Sequence, residues 1–106
     1  MSIRSARLSD PERAQLARDT RALASAERND FHRGGPLVLG AISERIELLE
    51  TIAALLENPK RDVDPAAVPA LARLVTETPP VRDYGAAARQ RNERIASILA
   101  GLKGDG

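Results

Sequence analysis

Between Leu37 and Glu57 the apolar residues recur along two heptad-spaced seams. Leu39, Ile42, Ile46, Leu49, Ala53 and Leu56 follow one another at steps of three and four. Val38, Ala41, Leu48, Ile52 and Leu55 form a second set, interrupted only by Arg45. One such seam needs one partner helix. Two seams set roughly a quarter turn apart on the helical wheel need partners on two sides. The pattern predicts a long helix over 36–57, closed by Asn58-Pro59, because proline disfavours helix at the residue before it.

The flanking segments are also helical in pattern. Ser9-Asp10-Pro11-Glu12 reads as a capped start with a capping box and a first-turn proline, and it opens a helix over 10–31. The large apolar residues of that helix are only Leu16, Leu23 and Phe31, a thin stripe that predicts loose docking or ordering on binding. His32-Arg33-Gly34-Gly35-Pro36 breaks the chain. Asp64-Pro65 starts a short helix over 65–77 whose start Pro69 shifts, with Val68, Leu71, Leu74 and Val75 inward. A last helix over 81–102 places Tyr84, Ala88, Arg91, Ile95, Ile98 and Leu102 on one stripe, and Gly101 and Gly104 predict fraying at its end. No strand pattern and no internal repeat appears. The expected fold is all-α: an antiparallel helical hairpin or small bundle around the heptad-seamed helix. Residues 1–35 form a basic arm and an Ala/Arg-rich helix, 36–102 a helical core, and 103–106 a flexible tail.

Composition sharpens this reading. The chain has 106 residues, 42% of them hydrophobic, but with one Phe, one Tyr, one Met and no Trp. Few large side chains are available to fill a monomeric core, and small domains bury a modest fraction of their surface. Burial between subunits is therefore expected, in an oligomer.

The formal net charge is only +1, yet its distribution is uneven. Residues 1–33 hold seven Arg against five acids, 34–57 one Arg against four Glu, and 82–103 four Arg and one Lys against two acids. Arg4, Arg7, Arg13, Arg18, Arg21, Arg28 and Arg33 are candidate contacts for DNA phosphate, which arginine neutralises in a salt-dependent, sequence-independent way. The interleaved acids Asp10, Glu12, Asp19, Glu27 and Asp30 weaken that field, although repeated copies would add avidity. Arg82, Arg89, Arg91, Arg94 and Lys103 are expected to pair at least partly with Glu44, Glu47 and Glu50 across an antiparallel hairpin.

No catalytic constellation is visible. His32 is the only histidine and there is no cysteine, so neither a metal site nor a disulfide is expected. Gly34-Gly35-Pro36 lacks the frame and terminal Lys-Ser/Thr of a phosphate loop. The glutamates of the central helix read as a solvated face, and an enzyme would need a pocket lined by at least two of Glu44, Glu47 and Glu50. No cofactor is expected. No apolar run approaches the roughly 20 residues of a membrane span, and the N-terminus lacks a signal-peptide core, so a cytoplasmic protein is expected.

An arginine-rich N-terminal region, a Leu/Ile-seamed helix from Leu37 to Glu57, a turn at Asn58-Pro59, further helix and a polar tail together resemble the small terminase subunits of tailed phages. The similarity is greatest to the short version in phage-like gene transfer agents of alphaproteobacteria. It covers about residues 10–102 and is one of layout and composition, without a diagnostic motif. The resemblance implies a non-enzymatic ring of subunits that binds double-stranded DNA for packaging and hands it to a large terminase subunit. Leu39, Ile42, Ile46, Leu49, Ile52 and Leu56 would then form the oligomerisation core. Ile98, Leu99, Leu102 and Lys103 would lie where the large subunit docks. Family members usually carry an N-terminal helix-turn-helix of about three helices, whereas residues 1–35 hold one helix and an arm. The implied DNA binding is therefore weak and without sequence specificity. The competing reading is a small helical chaperone or protein-binding adaptor with no DNA role.

Overall fold

The computed structural model describes residues 9–31, 36–58, 60–77 and 86–104, and every regular element among them is helical. Helix α1 spans Asp10–Phe31, α2 Pro36–Glu57, α3 Val68–Thr76 and α4 Ala86–Lys103. A short 3-10 turn, Pro65–Ala67, leads into α3.

The local signals in the sequence act as their chemistry dictates. Glu12 N–H donates to Ser9 Oγ at 3.3 Å and Ser9 N–H donates to Glu12 Oε1 at 3.0 Å, a reciprocal capping box. That bond to the Ser9 backbone holds the Glu12 carboxyl below its ordinary value. Asp64 caps the 3-10 turn by accepting from Ala66 N–H at 2.9 Å. Proline at the second position of α3 fits because a first-turn N–H has no intrahelical acceptor.

Helices α1 and α2 form an antiparallel hairpin packed along most of its length. α1 is not loosely docked. Its contact face consists of Leu16, Ala17, Thr20 and Ala24, all buried, with Leu23 half-buried beside them. Small residues let the two axes approach closely, and the Thr20 hydroxyl is satisfied by donating to Leu16 O at 2.8 Å. Two ion pairs register the hairpin, Arg21–Glu57 and Arg28–Glu50. The second rung is seven residues on in α1 and seven back in α2, which is the spacing of one heptad in opposite directions.

The chain then returns through α3, and α4 descends parallel to α2. Asn92, near the start of α4, meets Ala41 near the start of α2, while the end of α4 meets Asp64, whose N–H donates to Leu102 O at 2.9 Å. α3 lies against α1 and α4. The lower half of the molecule is thus a four-helix arrangement and the upper half a three-helix one. Leu49, Ile52, Leu55, Leu56, Leu71, Leu74, Ile95, Ile98 and Leu102 fill the lower core.

Gly101 lies inside α4 rather than at a frayed end. A Cβ there would stand 3.0 Å from that of Ala67, so the missing side chain allows α4 to close on the 3-10 turn. Gly104, at φ +81°, supplies the left-handed residue that ends the helix, its N–H donating to Gly101 O at 3.1 Å.

Candidate functional site

Both apolar seams of α2 are covered within one chain. Ile42, Ile46, Leu49, Ala53 and Leu56 of the first are buried, as are Ile52 and Leu55 of the second; Ala41 and Leu48 are half-buried. The side chains of Leu39 and Val38 lie outside the described residues. The residues expected to join subunits therefore pack against α1 and α4 of their own chain. Alanine on α1 and the return of α4 supply the covering surface that the scarcity of large side chains had seemed to deny.

The interruption of the second seam is the centre of a buried polar network. Arg45 is fully buried; its Nη1 donates to Glu27 Oε1 at 3.0 Å and its Nε to Asn92 Oδ1 at 2.7 Å. Its Nη2 reaches Ala88 O at 3.4 Å. Glu27 uses its other oxygen for Arg91 Nη1, also at 3.0 Å, so one buried carboxylate bridges two buried guanidiniums. Asn92 donates to Ala41 O at 2.8 Å and to Glu44 Oε1 at 2.9 Å. The network joins α1, α2 and α4 in the upper half, where α3 no longer contributes apolar side chains. Charges removed from water persist only when paired and hydrogen-bonded in this way.

Three of the arginines expected to face DNA have partners within the chain. Arg13 Nε donates to Leu56 O at 2.8 Å, and its Nη2 reaches the carbonyls of Leu55, Asn58 and Arg61. It thus satisfies the open C-terminal end of α2 and places a cation where the helix dipole is negative. Arg21 holds Glu57 in a two-pronged bond at 2.7 Å, which keeps the Glu57 carboxyl low and the Arg21 guanidinium raised. Arg28 is paired with Glu50. Arg18 is exposed and bonded to Gln15 Oε1 at 2.7 Å, and Arg21 and Arg28 are exposed as well. Arg4, Arg7 and Arg33 lie outside the described residues.

The second basic cluster does not meet the glutamates expected. α4 runs parallel to α2, so Arg91 reaches Glu27 on α1, and Arg94 reaches Glu77, the residue after α3, at 2.6 Å. That hydrogen bond depresses the Glu77 carboxyl. Of the proposed partner-binding residues, Ile98 and Leu102 belong to the core, Leu99 packs half-buried against it, and only Lys103 is exposed. Arg82 lies outside the described residues.

Two concave regions are formed by described residues. One, about 330 Å³, lies between the start of α1 and the end of α2 and is lined by Asp10, Arg13, Ala14, Ala17, Arg18, Leu56 and Glu57. The other, about 540 Å³, is a groove along the outward face of α2 formed by Gly40, Ser43, Glu44, Glu47, Leu48 and Thr51. It holds two of the glutamates an enzyme would need, but both are exposed, and acid–base work calls for a desolvated carboxylate. Among the described residues no group of three His, Cys, Asp or Glu is placed to hold a metal ion, and no helix is long and apolar enough to cross a membrane. No protein-family profile, curated protein or solved structure matches this chain.

Proposed function

We propose that this protein is a non-enzymatic DNA-packaging adaptor of the small-terminase kind, a helical unit that assembles with copies of itself and presents DNA to a large terminase subunit. The observation that supports assembly is the pair of bare faces on the hairpin. Ala14, Arg18, Ala22 and Ser25 of α1 are exposed, as are Gly40, Ser43, Glu47, Thr51 and Ala54 of α2. Two different exposed surfaces suit head-to-tail association, which closes into a ring when the rotation between copies divides a full turn. Small side chains permit close approach of helices, and Arg18 on one face complements Glu44 and Glu47 on the other.

Light scattering coupled to size exclusion tests the assembly. A discrete multimer is expected, and Glu47→Arg should lower the mass while helicity is retained. A wild-type monomer at micromolar concentration removes the assembly and, with it, the packaging reading. For DNA, fluorescence anisotropy at several salt concentrations should give weak, sequence-independent affinity that survives Arg13→Ala, Arg21→Ala and Arg28→Ala, because those side chains have internal partners. The second reading, a protein-binding adaptor with no DNA role, is favoured by that same internal engagement. An absence of affinity at low salt would select it.

A further inference from the structure

The two halves of α4 adhere to the hairpin by different means. Ile95, Ile98 and Leu102 enter the apolar core. Above them, Ala88 is the one buried apolar side chain of the first two turns, and the other buried side chains there are Arg91 and Asn92. Polar contacts of this kind orient strongly but add little net stability, because they replace equivalent bonds to water. Apolar burial has no such alternative in water. The weaker adhesive also sits at the end of the helix that α3 does not reach, since Glu77 already meets Arg94.

We propose that the first two turns of α4, Ala86 to Asn92, form a polar latch that opens and closes while the apolar half of the helix stays docked. Asn92 is the catch. It bonds Arg45, the Ala41 carbonyl and Glu44 at once, so three groups on α2 hold a single side chain. When the latch opens, Arg45 keeps Glu27, the Arg91–Glu27 pair parts, the Asn92 and Ala88 oxygens are replaced by water, and a polar, hydrogen-bonding patch on the upper end of α2 becomes accessible. Closing needs all three Asn92 bonds in register, which fixes the angle at which α4 lies on the hairpin.

The chain has no cysteine, so one introduced thiol is an unambiguous probe. Ala88→Cys and Ala53→Cys each replace a buried alanine, the first under the latch and the second in the hairpin. At equal reagent concentration the thiol at position 88 should be labelled at least about tenfold faster than that at 53, as expected for a local opening below the global one. Adding Asn92→Ala should accelerate labelling at 88 and leave 53 unchanged. Equal rates at the two positions, or equal acceleration of both by Asn92→Ala, would overturn the latch. Hydrogen exchange on the unaltered chain gives an independent reading. Amides of Gln90–Arg94 should exchange with a weaker urea dependence than those of Ile98–Leu102, and one urea dependence along all of α4 would equally overturn it.

Discussion

Glu27 pairs with two buried arginines from two different helices, and that bridging position makes it a consequential side chain in the upper half. Glu27→Gln removes the carboxylate that Arg45 and Arg91 share, and removing one partner of a buried pair typically costs about 3–5 kcal/mol. Urea denaturation followed by circular dichroism should show that loss; a change under about 1 kcal/mol would mean that water reaches the arginines. Arg13→Ala should cost about 1.5–3 kcal/mol, as hydrogen bonds from a charged donor do, and should loosen the end of α2 first. These roles were hidden in the sequence for a definite reason. Arg45 read as a flaw in an apolar seam, Arg91 as part of a stripe and a basic cluster, and Glu27 as one acid among five. Only the placement of α4 parallel to α2 brings the three together, and nothing in their spacing specifies that orientation. The available signal was a charged residue at an inward heptad position, which implies a buried partner elsewhere.

At the scale of elements, the boundaries were far more legible. The capping box at Ser9, the prolines at 36 and 65 and the stop at Asn58 each act within one turn, so the local sequence contains the whole cause. The rungs Arg21–Glu57 and Arg28–Glu50 depend on pairing between helices and were read instead as a DNA-facing surface. The Arg21–Glu57 rung and the Arg94–Glu77 pair have a pH signature. Glu57 and Glu77 are both held below the ordinary glutamate value of 4.5 by bonds from Arg21 and Arg94. The stability they add is therefore fully present above that value and is lost as pH falls through their lower folded values. Urea midpoints measured at falling pH should decline in the wild type and decline less in Glu57→Gln. High salt should weaken the same rungs while leaving the buried network intact, since exposed charges are screened and buried ones much less so. Where α4 meets the 3-10 turn, Gly101→Val should destabilise by about 1–3 kcal/mol through overpacking against Ala67, a loss that calorimetry would register as a lowered Tm.

For the whole molecule, the order of the helices in sequence fixes the order in which contacts become possible. The hairpin of α1 and α2 is complete once Arg61 has been made, because Arg13 draws on carbonyls up to that residue. The partners of Arg45 on α4 come more than forty positions later than Arg45 itself. At roughly 5–20 residues per second of synthesis, the hairpin exists for several seconds before α4 follows. During that interval Arg45 has Glu27 but not Asn92, and Ile52 and Leu55 lack the apolar half of α4. The nascent chain thus passes through a stage in which its most hydrophobic helix is half clothed. A second copy made nearby would meet that same open surface, so rapid expression should raise the share of a domain-swapped dimer, which size exclusion of freshly made protein would reveal.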